Sequence, residues 1–156
     1  MNAPGNVEHN MLCGNDESPT NAILRILKKH MPHIISGHKN HEYRTYRLDE
    51  QVTRVWLYVD EDKEIQYVLT IGPPKVPGEV NDPEGLGNDD FDLGLKKSGF
   101  GYPIMALHML PRALTADTLI HDYGVDMNTK GKQYVKQCLV DTFPTESLVR
   151  IIPKQT

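Results

Sequence analysis

The chain has 156 residues, 38% of them apolar and 24% charged, with a formal charge of −4. That length fits one domain plus tails and excludes a TIM barrel or a two-domain enzyme. No apolar run approaches the ~20 residues that span a bilayer, and Met1–Thr20 is small and polar with no basic-then-apolar signal. The expected setting is therefore intracellular, in cytoplasm or nucleus, with no membrane partner. An acidic total argues against nucleic acid, but the charge is segregated. Residues 1–19 carry Glu8, Asp16 and Glu17 and no Lys or Arg, a net −3. Residues 20–58 carry seven Lys and Arg against three acids, a net +4, together with four of the seven His. Residues 59–101 come to −6 and 102–156 to +1.

Residues 1–19 lack periodicity and read as a disordered leader. A domain is expected over 20–143 and a C-terminal extension over 144–156. Order begins at the apolar run Ala22–Leu27, strand or helix. Leu27, Met31, Ile34 and Ile35 then share one helix face that Gly37 closes as a C′ residue. Three strand candidates follow. His41–Leu48 interleaves aromatics and charge, with Glu42, Arg44 and Tyr46 on one face. Val52–Val59 sets Thr53, Val55, Leu57 and Val59 against Arg54, Trp56 and Tyr58. Ile65–Ile71 sets Ile65, Tyr67, Leu69 and Ile71 against Gln66, Val68 and Thr70. Strands with two large-residue faces suit a small closed barrel or a sheet covered by helices.

Pro73–Gly87 is a long Gly/Pro loop, expected to be functional or mobile. Asn88 is placed to cap a short helix with Phe91 and Leu95 inward, Lys96 and Lys97 in its last turn and Gly99 beyond. Ile104–Leu110 reads as a strand ended by Pro111. Thr115 caps a helix carrying Leu119, Ile120 and Tyr123 and stopped by Gly124. Gln133–Val135 reads as a closing strand, with Cys138–Phe143 and Leu148–Ile152 as late helical or irregular pieces. The expected fold class is α+β, a small, mostly antiparallel β-barrel with flanking short helices. Cys13 and Cys138 make neither a framework nor a metal spacing, and read as reduced thiols.

The distinctive window is Gly37-His38-Lys39-Asn40-His41-Glu42-Tyr43-Arg44. Lys39 falls at a helix–strand corner, with Glu42 and Arg44 on one face of the strand that follows. Such a trio either binds a phosphate or the polar edge of a base, or closes on itself as a salt-bridged face. Tyr43, Tyr46, Trp56 and Tyr58 lie in the same basic block; Trp56, mid-strand among apolar neighbours, reads as core, and Tyr46 with Arg47 as surface. His30, His33, His38 and His41 lack a Cys partner and straddle the helix cap, and the acidic loop lacks EF-hand spacing. No metal and no cofactor are expected.

The run I-L-K-K-H-M-P-H-I-I-S-G-H-K-N-H-E-Y-R, with V-T-R-V-W-L-Y-V and E-I-Q-Y-V-L-T-I after it, resembles the ASCH domain family of the PUA-like superfamily. The family signature G-x-K-x-x-E-x-R falls here on Gly37, Lys39, Glu42 and Arg44, and the similarity covers about residues 22–140. The resemblance implies a PUA-like β-barrel whose cleft binds RNA, another single-stranded nucleic acid or a modified nucleotide. The residues it points to are Lys39, Glu42 and Arg44, with Tyr46 and Arg47 beside them and Pro73–Gly87 as a rim. A monomer is expected. The alternative is a small hydrolase using Lys39, either a ribonuclease or an N4-acetylcytidine amidohydrolase. In the deacetylating relatives a Thr stands where this chain has Glu42, which cannot act as a hydroxyl nucleophile, and their third residue, a Glu, has no counterpart placed here.

Overall fold

The structure, a computed structural model, describes residues 13–155. Seven strands form one sheet: β1 Glu17–Ile26, β2 His41–Arg44, β3 Arg54–Val59, β4 Glu64–Ile71, β5 Phe100–Thr115, β6 Gln133–Lys136 and β7 Val149–Ile152. Among the described residues four short helices accompany them: α1 Met31–Ile35, α2 Asn88–Asp92, α3 Ala116–Tyr123 and α4 Gln137–Thr142, with 3₁₀ turns at Lys28–His30 and Thr145–Ser147. The strand order is β2-β5-β4-β3-β1-β6, and β7 pairs with β5. Among the described residues only β1 and β3 run parallel; the other pairings are antiparallel. The parallel pair needs a crossover, which is the segment holding α1 and β2.

The class is α+β as expected, but strand pairing does not close the sheet into a barrel. Both faces are covered instead. Trp56, Tyr58, Val68 and Leu110 pack with Leu119 and Tyr123 of α3 and Leu139 of α4. On the opposite face Leu24, Val55, Leu57, Leu69 and Leu107 pack with Met31 and Ile34 of α1. The two-faced strands are thus explained by helices on both sides. Among the described residues no helix is long and apolar enough to cross a membrane.

Local chemistry accounts for several departures from the sequence expectations. β1 starts at Glu17, so part of the expected leader is sheet; residues 1–12 of it lie outside the described residues. β7, expected as part of an extension, is held by its pairing with Leu107–Met109. β4 does not alternate throughout. Tyr58 pairs with Ile65 and Leu57 with Tyr67, so Gln66 is bulged and Ile65 turns to the Val68 face. The Gln66 amide caps the irregularity by donating to the Leu110 carbonyl, 3.1 Å away. β5 runs through Pro111 because the stretch between Met109 and Leu114 is out of regular register and asks no ladder N–H of it.

α2 ends earlier than expected. Gly94, at φ 74°, breaks it, leaving Leu95 71% exposed and Lys96 and Lys97 beyond its last turn. Its N-cap is Gly87, not Asn88, whose side chain is fully buried. Cys13 and Cys138 are not free thiols: they are joined as a disulfide, with Cα atoms 4.9 Å apart. The antiparallel match of Glu17 with Lys136 brings the segments just outside β1 and β6 together. As expected, Gly37 follows α1 at φ 84°, a conformation that costs a side-chain-bearing residue. The Thr115 hydroxyl accepts the Thr118 N–H at 3.1 Å as the N-cap of α3.

Candidate functional site

Lys39, Glu42 and Arg44 meet as a buried ion cluster. Gly37 turns the chain out of α1, the Lys39 N–H bonds the His33 carbonyl at 2.9 Å, and β2 begins two residues later. β2 pairs with Pro103–Phe100 of β5, so its side chains are fixed by the sheet. Glu42, 4% exposed, sits between two cations. Its Oε1 faces the Lys39 ammonium at 3.2 Å, and its Oε2 accepts from Arg44 Nε at 2.9 Å and lies in ion-pair contact with Nη2 at 2.7 Å. Arg44 Nη2 also donates to the Arg25 carbonyl at 3.0 Å. Two nitrogens of Arg44 are thereby committed, and Nη1 has no partner among the described residues. A guanidinium clamped in this way is a pre-organised donor.

Past Arg44 the chain leaves the sheet. β5 starts at Phe100, opposite Arg44, so residues 45–48 have no partner strand and bend away. The Leu48 N–H is caught by the Tyr102 hydroxyl oxygen at 2.7 Å. The bend opens a cavity of about 540 Å³ between β1, the segment after β2 and the turn into β6. Ala22, Leu24, Leu48 and Val52 supply apolar wall, and Arg44, Tyr46, Arg47 and Tyr134 bring polar ends. Tyr46 is 44% exposed, and neither it nor the exposed Arg47 has a hydrogen-bond or ion-pair partner among the described residues. Lys132, also on the wall, is paired with Asp49 at 3.1 Å.

The five expected site residues therefore divide. Arg44, Tyr46 and Arg47 line the cavity; Lys39 and Glu42 stand behind it, holding Arg44. Asp49, Lys132 and Tyr134 were not expected there. Lys132 and Tyr134 lie far along the chain, and only the β1–β6 pairing carries them in. Trp56 is core, 1% exposed, with its indole N–H on Asn21 Oδ1 at 3.0 Å.

The Pro73–Gly87 loop is not a rim of this cavity. It is tied to the other side of β2, where Lys75 bridges Gly101 and the Leu86 N–H bonds the His38 carbonyl at 2.9 Å. The Asp92 carboxylate gathers the N–H groups of Asn81, Val80 and Gly78 at 2.8, 3.1 and 2.9 Å, and these donors hold its proton affinity below the usual carboxylate value. The Asn40 amide donates to Asp82 Oδ2 at 2.8 Å and its oxygen accepts from Asn88 at 3.0 Å. The Tyr43 hydroxyl donates to Asn88 Oδ1 at 2.6 Å. Burial, with Asp92 and Asp82 nearby, pushes the Tyr43 hydroxyl up to about 12, so it remains a donor at neutral pH.

His41 is buried beside this network. Its Nδ1 lies 2.8 Å from Asn40 Oδ1 and its Nε2 3.4 Å from the Lys75 ammonium. An amide oxygen on one side and an ammonium on the other fit a neutral Nδ1–H tautomer, and burial and the Lys75 charge lower the imidazole's proton affinity. His30, near Lys39 and Glu42, is lowered first by burial and then by Lys39. Among the described residues no group of three or more His, Cys, Asp or Glu is placed to hold a metal ion.

No family model and no curated protein matches the chain. Solved structures match it by fold. ASCH from Zymomonas mobilis superposes with a TM-score of 0.53 at 12% identity, over 80% of this chain and 96% of that one. Two mutant forms of the same protein give TM-scores of 0.55 and 0.57 at 12% identity, over 81% and 80% of this chain and 96% of theirs. At that identity the likeness is one of architecture. The chain has the fold of an ASCH domain.

Proposed function

We propose that this domain binds RNA or another single-stranded nucleic acid, one or two nucleotides at a time, in the cavity beside the G-x-K-x-x-E-x-R segment. The observation that carries the reading is the pairing of an apolar cavity of about 540 Å³ with a clamped arginine, a free arginine and exposed tyrosine on its wall. Apolar wall and tyrosine rings suit a base, which stacks; Arg44 and Arg47 suit a phosphate. Kinship with PUA-like domains, a monomeric state and a cytoplasmic or nuclear setting belong to the same proposal. A hydrolytic role for Lys39 is less favoured, because its ammonium is held by Glu42 and lies off the cavity wall.

Fluorescence anisotropy with a labelled single-stranded oligonucleotide tests the reading. Two open guanidinium groups give a log–log salt slope of about −1.4. Arg47→Ala weakens binding by roughly tenfold or more, the scale of a lost charged hydrogen bond. Binding unchanged in Arg47→Ala and Tyr46→Ala would show that the ligand lies elsewhere.

A further inference from the structure

A second cationic cluster lies on the opposite face of the sheet. His108 of β5 stands directly opposite Arg150 of β7 and, on its other side, opposite Val68 of β4. Val68 in turn pairs with Trp56 of β3, and Arg54 lies two residues before Trp56, on the same strand face. Leu107 belongs to the core packed on α1, so His108 turns to the face where Trp56 and Val68 lie. Arg54 of β3, His108 of β5 and Arg150 of β7 therefore share one face of four neighbouring strands, with Val68 and Thr70 of β4 between Arg54 and the other two.

Among the described residues neither arginine of this group has a carboxylate ion-pair partner. The charges acting on His108 are those of Arg54 and Arg150, and both, together with the larger effect of burial, disfavour its proton. Arg150 Nε donates to the Pro153 carbonyl at 2.9 Å, which fixes the guanidinium while leaving its terminal nitrogens available. Arg54 has no hydrogen-bond or ion-pair partner among the described residues. Elsewhere the chain covers its strand arginines: Arg25 meets Asp60 at 2.6 Å and Arg44 meets Glu42 at 2.7 Å. In a chain with 21 acids against 17 Lys and Arg, two strand-borne arginines flanking an imidazole, with no acid among the charges acting on it, make an unbalanced site that an anion would complete.

We infer that Arg54, His108 and Arg150 form a phosphate-binding site on the sheet face opposite the cavity. Two guanidinium forks give paired N–H donors to tetrahedral oxygens, and the imidazole adds a donor once protonated. The site is independent of the nucleic-acid reading, because it shares no residue with the cavity. Free phosphate, a phosphate monoester and a backbone diester present the same chemistry to it.

The test follows the His108 ring resonances by NMR across pH in the full chain, with inorganic phosphate against chloride of equal ionic strength. Saturable ring shifts are expected with phosphate, along with a His108 titration midpoint that rises, since a bound anion favours the imidazolium. Arg54→Gln and Arg150→Gln should each weaken the phosphate response at least about tenfold while the Trp56 indole resonance keeps its folded position; Arg47→Ala should leave the response intact. A nucleoside monophosphate and a short oligonucleotide without terminal phosphates, titrated in parallel, show whether monoester or diester is preferred. A His108 midpoint that phosphate moves no further than chloride overturns the site, as does an undiminished response in Arg54→Gln or one abolished by Arg47→Ala.

Discussion

Replacing Glu42 by Gln leaves the shape of the ion cluster and removes its only negative charge. In the parent, Lys39 and Arg44 flank the carboxylate with side chains only 11% and 17% exposed. Deleting one partner of a buried pair costs about 3–5 kcal/mol, because the remaining charges stay out of water. The partial exposure of Arg44 and the amide oxygen that Gln can still offer place Glu42→Gln at the low end, about 3 kcal/mol. With a urea dependence of about 2 kcal/mol/M, the unfolding midpoint falls by about 1.5 M. Asp49→Asn provides the internal contrast. Its partner Lys132 is 65% exposed and Asp49 itself 36%, so loss of that ion pair costs at most about 1 kcal/mol. Urea denaturation followed by Trp56 fluorescence reads both. A Glu42→Gln midpoint shifted no further than that of Asp49→Asn would refute the reasoning that the signature is a buried structural clamp.

Three other outcomes follow from the packing. Gly85→Ala should destabilise by about 1–3 kcal/mol in the same assay, since an added Cβ would lie 2.6 Å from Asn40 Oδ1 and closer still to the Asn88 amide nitrogen; a neutral result would show that the loop network yields freely. His30, His41 and His108 all have imidazoles lowered by burial, so the unfolded chain binds more protons than the folded one just below the unperturbed value of about 6.5. Stability should be complete above that pH and decline as pH falls through it, read as melting temperature from pH 8 to 5.5, and flatten in His41→Gln; a melting temperature that rises on acidification contradicts the assignment. The Cys13–Cys138 bond spans 125 residues. Loops of ~100 residues are worth about 4.7 kcal/mol by chain entropy, so reductant should lower the melting temperature; two titratable thiols in the denatured, unreduced protein would contradict the disulfide.

What the sequence makes legible is what depends on neighbours along the chain. Gly37 after α1, Thr115 before α3 and the two faces of β3 follow from capping and alternation, and the structure places them so. The Lys39, Glu42 and Arg44 cluster is legible for the same reason, since a turn and a four-residue strand assemble it. What escapes is set by distant pairing. Nothing local says that β5 ignores Pro111, that Gln66 bulges and flips Ile65, or that β7 joins β5. Tyr134 reaches the cavity and Cys13 reaches Cys138 only through the β1–β6 ladder. The position of the ion cluster is thus readable, whereas the division of labour within it is not. Lys39 and Glu42 hold Arg44 from behind, and the open groups are those of the irregular segment after β2.

The most direct measurement is backbone and side-chain NMR mapping of a short single-stranded RNA onto the full chain. The proposal predicts that shifts concentrate on Arg44, Tyr46, Arg47 and Tyr134 around the cavity and spare α3, on the other face of the sheet. Shifts that centre on α3 or the Pro73–Gly87 loop and leave Arg47 and Tyr134 unmoved would contradict it.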